Sequence, residues 1–257
     1  MKRIRVIPVL LLYNDGLVKT IKFKKPNYIG DPINAVKIFN EKEVDELVFL
    51  DIEATKLGKE PDYNKIEEIA SECFMPLGYG GGIKNIEQVK RIIGIGVEKV
   101  ILNTAAATNP KLISDIAKIY GNQCAVVSVD VKKDMFGKYV CYTNSGKNKV
   151  KQKLVDFVKI LENKGAGEII LTSIDCEGTF DGYDIDLIKK ISEVVNIPVV
   201  ANGGASKIED FTNAIKNGGA SAVSAGSLFV YKSENRGVLI NYPSQKELKE
   251  KVFEKIS

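Results

Sequence analysis

Asp45-Glu46-Leu47-Val48-Phe49-Leu50-Asp51 is echoed downstream by Gly167-Glu168-Ile169-Ile170-Leu171-Thr172-Ser173-Ile174-Asp175. A second pair, Met75-Pro76-Leu77-Gly78-Tyr79-Gly80-Gly81-Gly82-Ile83 and Ile197-Pro198-Val199-Val200-Ala201-Asn202-Gly203-Gly204-Ala205, recurs at the same spacing. A third joins Val97-Glu98-Lys99-Val100-Ile101-Leu102-Asn103-Thr104-Ala105 to Ala220-Ser221-Ala222-Val223-Ser224-Ala225-Gly226-Ser227. The offset is roughly 122 residues, half the length of a typical eight-unit parallel barrel. The reading is an α/β fold: a single (β/α)8 TIM barrel over residues 1–257, made of two half-barrel repeats of about 1–122 and about 123–257.

The composition agrees with one large core: 257 residues, 44% hydrophobic and 27% charged. A net charge of +4 is mild, and there is no arginine-rich helix or basic-aromatic stripe, so nucleic acid is not an expected ligand. The Lys excess suits a small anionic substrate. Met1-Lys2-Arg3-Ile4-Arg5-Val6-Ile7-Pro8 runs straight into a strand without a small-residue cleavage site, and no apolar run reaches membrane-spanning length. The expected location is the cytoplasm, with no membrane partner. Cys73, Cys124, Cys141 and Cys176 lack the spacing of a disulfide framework or a zinc site. The chain has no histidine, which removes Ser-His-Asp triads, Cys-His pairs and His-ligated metals together. No metal or organic cofactor is expected, and proton transfer falls to Asp, Glu, Lys, Tyr or Cys.

Short β-branched runs alternate with helix-period segments, the pattern of repeated βα units. Eight strands are expected near Val6–Leu12, Glu46–Asp51, Pro76–Gly78, Lys99–Asn103, Ala125–Asp130, Glu168–Ser173, Pro198–Ala201 and Ala222–Ser224. Asp31-Pro32 reads as an N-cap followed by a first-turn proline, Asn85 as a cap before Ile86-Glu87, and Asn109-Pro110 as a repeat of the Asp-Pro logic. Tyr13–Gly30 and Val131–Val150 are long connections at equivalent places in the two halves. Long connections of this kind are usually functional, and barrel active sites form where strands end.

Gly80-Gly81-Gly82 ends the third strand and Gly203-Gly204 the seventh. Residues without side chains let backbone N–H groups approach a phosphate, and a following helix adds partial positive charge. Asn103-Thr104 and Ala225-Gly226-Ser227 complete two such cups, so the expected ligand carries two phosphates or phosphate-like ends. Asp51, Asp130 and Asp175 end strands in apolar surroundings, where a raised pKa suits proton transfer. Asp130, beside a long loop, is the leading catalytic candidate. Its counterpart on the first strand is Leu12, so a carboxylate pair across the barrel lacks one member.

Residues 3–230 resemble the cyclase subunit of imidazole glycerol phosphate synthase, the barrel that uses ammonia from a glutaminase in histidine biosynthesis. The matching runs are Asp15-Gly16, Gly30-Asp31-Pro32, Asp45 to Asp51, Gly80-Gly81-Gly82-Ile83, Asn103-Thr104-Ala105-Ala106, Ser145-Gly146-Lys147 and Leu171-Thr172-Ser173-Ile174-Asp175. The resemblance implies a (β/α)8 fold, two phosphate cups, a substrate-contacting Lys19 and an acid/base Asp130. Gly81, Gly82, Asn103, Thr104, Asp175, Glu177, Gly203, Gly204, Ala225, Gly226 and Ser227 are then the ligand-binding positions. The family's second catalytic aspartate falls at the end of the first strand, before Asp15-Gly16, and the position that aligns with it is Leu12. The aspartate before Gly178-Thr179 is here Glu177, and the Ser-Gly-Gly of the seventh strand is Asn202-Gly203-Gly204.

At the opposite mouth Arg5, Glu46, Lys99 and Glu168 occupy the four positions that in the cyclase family form a charged ammonia gate. Two cations and two carboxylates can neutralise one another there. Glu98 stands where the family has an acidic residue facing the glutaminase, so a heterodimer with a glutaminase is implied. Val238-Leu239-Ile240-Asn241-Tyr242-Pro243-Ser244 resembles a paralogous group encoded with surface-polysaccharide genes, whose members act with a glutaminase and a separate sugar amidotransferase. Three functions follow as expectations: an ammonia-using subunit in amidation of a surface-glycan sugar, the histidine-pathway cyclase itself, or a non-catalytic scaffold that activates the glutaminase.

Overall fold

The computed structural model describes residues 4–232 and 236–256. Eight parallel strands close on themselves: β1 (Arg5–Tyr13), β2 (Leu47–Asp51), β3 (Leu77–Gly80), β4 (Lys99–Leu102), β5 (Ala125–Lys133), β6 (Glu168–Ser173), β7 (Val199–Asn202) and β8 (Ala222–Ala225). Each pairs with its sequence neighbour, and β8 returns to β1 with Arg5 beside Ala222. The fold is therefore a (β/α)8 barrel, with four strands before residue 122 and four after 123. Among the described residues no helix is long and apolar enough to cross a membrane.

The pleat sorts the strand residues into two layers. Leu10, Leu12, Leu47, Phe49, Val127 and Leu171 face outward into the core shared with the surrounding helices. Ile7, Val9, Val48, Ile101, Val126, Ile170, Val200 and Ala222 form a second cluster inside the barrel, with Leu50 packed against it. Both layers are almost fully buried, so this is a filled barrel rather than an open pore.

Two of the three expected helix caps are made. Asp31 accepts the Asn34 N–H at 2.9 Å ahead of the helix Pro32–Glu41, and Asn85 accepts the Gln88 N–H at 3.0 Å ahead of Ile86–Gly94. The expected cap at Asn109-Pro110 is not made. Asn109 instead terminates the short helix Thr104–Thr108, and Pro110 precedes Lys111–Tyr120 with no side-chain cap bond.

The two long connections fold as antiparallel hairpins above the barrel. Gly16–Lys19 pairs with the end of β1, placing Leu11 beside Val18, and then with Asn27–Gly30. Tyr139–Thr143 pairs with the end of β5, placing Tyr142 beside Asp130, and then with Asn148–Lys149. β1 and β5 are four strands apart in the ring, so the hairpins rise on opposite sides of one mouth.

Candidate active site at the barrel mouth

One cavity occupies the end of the barrel at which the strands finish. Its wall includes Lys19, Asp51, Gly81, Gly82, Asn103, Thr104, Asp130, Glu177, Gly203, Gly204, Ala225, Gly226 and Ser227. Twelve of the expected site positions thus converge with Asp51, although they are drawn from the ends of seven strands.

Asp130 is 7% exposed and held by short polar contacts. Ser128 Oγ donates to its Oδ1 at 3.2 Å, and Asn103 Nδ2 donates to its Oδ2 at 3.1 Å and to the Ser128 carbonyl at 3.0 Å. Burial pushes the Asp130 carboxyl up to about 7, against the opposing pull of hydrogen bonds from Ser128, Thr172 and Asn103. A carboxyl that changes protonation near neutral pH is suited to general acid/base work.

The glycines at the two cups are required by sterics. Gly81 has φ +123, and a Cβ there would lie 2.5 Å from the Asp51 carbonyl oxygen. Gly204 has φ +111, and its Cβ would lie 2.0 Å from the Gly182 carbonyl oxygen. Across from Gly82, Thr104 Oγ1 accepts the Asn144 N–H at 3.1 Å, and Asn144, Ser145 and Gly146 all have left-handed backbone. Gly146 adopts this conformation freely, whereas Asn144 and Ser145 keep it only where surrounding structure fixes them.

At the second cup the Lys19 ammonium contacts a Glu177 carboxylate oxygen, and Thr20 Oγ1 donates to the other at 3.1 Å. Lys19 and Glu177 are 6% and 4% exposed. Burial, with repulsion from Arg236 added, pushes the Lys19 ammonium down to about 7. Contact with the Glu177 carboxylate works the other way. Ser227 Oγ is buried without a hydrogen-bond partner among the described residues.

Two expected site positions lie elsewhere. Asp175 does not line the cavity, because its Oδ2 is occupied by the Lys133 N–H at 2.8 Å and braces the β5 hairpin. Leu12 belongs to the outer core and to a side cleft with Asp15, Asp51 and Glu60, whereas Leu11 lines the mouth. The pleat sets this: Arg5, Ile7, Val9 and Leu11 share one face of β1, and Leu12 takes the other. The residue across the mouth from Asp130 is a leucine, but it is Leu11. Asp51 accepts the Glu53 and Ala54 N–H groups at 2.8 and 2.9 Å, the geometry of a loop brace.

Ser128, Thr172 and Asn202 were not among the expected ligand-binding positions, although Thr172 and Asn202 stood within the echoed runs, yet all three line the same cavity. Counting inward positions by twos finds them: Asp130 implies Ser128, and Glu168 implies Ile170 and then Thr172.

The other end of the barrel is closed by charge. Arg5 contacts both Glu46 and Glu168, and Lys99 Nζ donates to Glu46 Oε2 at 2.8 Å and to Glu168 Oε2 at 2.9 Å. The glutamate side chains are 4% and 7% exposed, so the four groups alternate in sign around a ring that is nearly dry on its carboxylate side. Burial alone would raise the Glu168 pKa, but the hydrogen bond and charge of Arg5, followed by those of Lys99, hold it below its ordinary value. Glu98, next to Lys99, is exposed on this same end.

Fold and site define a class: a (β/α)8 barrel with a buried carboxyl in its mouth and an ion-pair ring across its floor. The chain belongs to the histidine biosynthesis protein family, whose model matches residues 5–235, and within it to the HisF-like imidazole glycerol phosphate synthase subunits. It is 52% identical over 250 residues to "Putative imidazole glycerol phosphate synthase subunit hisF3" of Vibrio vulnificus (strain YJ016), covering 97% of this chain and 96% of the relative. Against the HisF relative of the same "Putative" name from Leptospira borgpetersenii it is 53% identical over 245 residues, covering 95% and 96%. Against imidazole glycerol phosphate synthase subunit HisF of Geobacillus kaustophilus (strain HTA426) it is 40% identical over 243 residues, covering 94% and 96%.

Proposed function

We propose that this chain is the ammonia-using barrel subunit of a glutamine amidotransferase, that it forms a heterodimer with a glutaminase, and that it serves amidation of a surface-glycan sugar. The observation that carries this reading is the pairing of an intact charged floor with a mouth in which Leu11, not a second carboxylate, stands across from Asp130. Arg5, Glu46, Lys99 and Glu168 form a closed ring, while Leu11 faces the cavity across from Asp130. The ring suits control of ammonia arriving from a partner docked on the Glu98 side. The mouth is ill suited to a reaction that needs two acid/base groups, since losing one typically costs ~10²–10⁴-fold in rate.

The ligand in the mouth is a phosphorylated small molecule. Gly81, Gly82, Asn103 and Thr104 receive one anionic end, and Gly203, Gly204, Ala225, Gly226 and Ser227 the other, with Lys19 and Glu177 beside the second. Ammonia is delivered to this ligand or passed to a sugar amidotransferase. Higher identity to the hisF3 relative than to the Geobacillus subunit supports a branch apart from the plainly named cyclases.

One observation favours the histidine-pathway cyclase instead: Asp130 is held near a pKa of about 7, ready for proton transfer. The two readings separate on one experiment. Purified barrel is supplied with ammonium salt and the histidine-pathway substrate, and product formation is followed. No turnover is expected, while the protein still raises the activity of its cognate glutaminase. Sustained turnover would establish the cyclase reading.

A further inference from the structure

Arg236 lies in a turn closed by the Lys232 N–H to Gly237 carbonyl bond at 2.9 Å and by an antiparallel bridge between Tyr231 and Val238. Its backbone is left-handed, φ +60, a conformation that a non-glycine residue keeps only when its surroundings fix it. The guanidinium is fixed on three sides. Nη2 donates to the Gly178 carbonyl at 3.0 Å, and the rings of Phe180 and Tyr231 each lie 6.0 Å away. Gly178 and Phe180 line the main cavity, so Arg236 stands directly behind the wall of the second cup.

The remaining nitrogen is the informative one. Arg236 Nη1 is buried and has no hydrogen-bond partner among the described residues, and neither does Ser227 Oγ. Buried donors are rarely left unpaired, and a charged one is especially costly. Both groups can donate, and both belong to segments that surround the same cup. Lys19 adds to the imbalance. Its chain runs beside Gly226, where a Cβ would lie 2.9 Å from Lys19 Cε, and it is close enough to Arg236 to feel its charge. Glu177 pairs with Lys19, whereas Arg236 Nη2 donates to the neutral Gly178 carbonyl, so among the described residues no carboxylate is paired with the guanidinium.

We propose that Arg236 is a second cation of the anion site formed by Gly203, Gly204 and Gly226, its charge acting from behind the wall at Gly178 and Phe180 while Ser227 Oγ, on the cavity wall, donates to an oxygen of a phosphate. This rests on the two-anion reading above and sharpens it. The ligand end at this cup is a phosphate with several free oxygens rather than an uncharged sugar end, and Arg236 becomes part of the ligand site.

The test is a titration of the full chain with inorganic phosphate, read at individual backbone amides by NMR. Gly203, Gly204 and Gly226 report this cup; Gly82 and Thr104 report the other. Replacing Arg236→Gln is expected to weaken phosphate roughly tenfold to hundredfold at the first group, while the second group stays within roughly twofold. Arg236→Lys keeps the charge but lacks the planar fork, so it should fall between the two and also covers the case of a Gln variant that does not fold. Unchanged affinity at Gly203, Gly204 and Gly226 in the folded variants overturns the role of Arg236 alone. Equal weakening at both cups overturns it as well, since the effect would not be local. Absence of phosphate from both cups of the wild-type chain overturns the two-anion reading, and this inference with it.

Discussion

Replacing Lys99→Ala takes one cation out of a four-membered ring. Lys99 Nζ bonds Glu46 at 2.8 Å and Glu168 at 2.9 Å, and its removal leaves Arg5 alone to serve two carboxylates that are 4% and 7% exposed. At an effective dielectric of about 20, each contact at ~3 Å carries about 5 kcal/mol of attraction, much of which the desolvation of the charges offsets. Truncating one partner of a buried pair costs roughly 3–5 kcal/mol. The Lys99 side chain is itself 19% exposed and water can replace it, so the lower end applies: about 3 kcal/mol, or a fall in Tm of roughly 6–12 °C for a domain this size. The pH dependence has a definite sign. Glu168 has a folded pKa below its unfolded value, so its contribution is present above about pH 4.3 and is lost as pH falls through the folded value. The gap between wild type and variant should therefore be widest near neutral pH and narrow in acid. Thermal unfolding followed by circular dichroism across that range measures it, and Lys99→Arg should recover most of the loss. A variant Tm within about 1 °C of wild type at neutral pH would refute the buried-ring reasoning, as would a gap that grows on acidification. In the complex with the cognate glutaminase, released ammonia and product measured separately should show looser coupling, with free ammonium still usable.

Asp130→Asn should lower any barrel-catalysed turnover by ~10²–10⁴-fold. Because burial holds the folded Asp130 pKa at about 7, above the ordinary aspartate value, wild-type stability should fall as pH rises through that window. The Asn variant should then be more stable than wild type above neutral pH, on the order of 1–4 kcal/mol, and no more stable at about pH 4; denaturant melts showing the same gap at both pH values would contradict this. Leu11→Asp places a carboxylate across the mouth from Asp130 and should raise turnover of the histidine-pathway substrate with ammonium, whereas Leu12→Asp should only destabilise, since it buries a charge in the outer core. A folded Leu11→Asp protein with no gain in turnover would show that a missing second carboxylate is not what limits this mouth. Crystals grown in phosphate or sulfate should show density beside Gly82, Asn103 and Thr104 and beside Gly204 and Gly226; empty cups at high anion concentration would remove the bis-phosphate ligand.

Much of this architecture was legible because it rests on local rules. The echoed runs around Glu46–Asp51 and Glu168–Asp175 marked strands, the glycines marked cups, and Asp31-Pro32 marked a helix start that the structure caps as expected. What was not legible depends on parity or on distant contacts. The resemblance pointed to Leu12, whereas counting by twos from Arg5 reaches Leu11, the residue that lines the mouth. Asp175 looked equivalent to Asp130, yet the hairpin after β5 offers it the Lys133 N–H, and no local pattern foretells that capture. Arg236 carried no signal at all, since it meets Gly178 only through the closure of the C-terminal turn.

The inward positions explain how the two ends of one barrel can diverge in different ways. Along β4 the inward series is Lys99, Ile101, Asn103; along β6 it is Glu168, Ile170, Thr172; along β1 it is Arg5, Ile7, Val9, Leu11. Every series passes from charge through a dry apolar layer to the mouth. Ile7, Val9, Val48, Ile101, Val126, Ile170 and Val200 offer no hydrogen-bonding side chain, so crossing that layer is costly for an ammonium ion and far less so for neutral ammonia. Under the proposed reading the floor ring must therefore admit ammonia in its neutral form, and the mouth receives a nucleophile that already has its lone pair free. The absence of a carboxylate at Leu11 is then no obstacle to ammonia attack. It is an obstacle only to the further proton transfers of ring closure, which is why an intact floor beneath a mouth with leucine facing Asp130 fits amidation better than cyclisation.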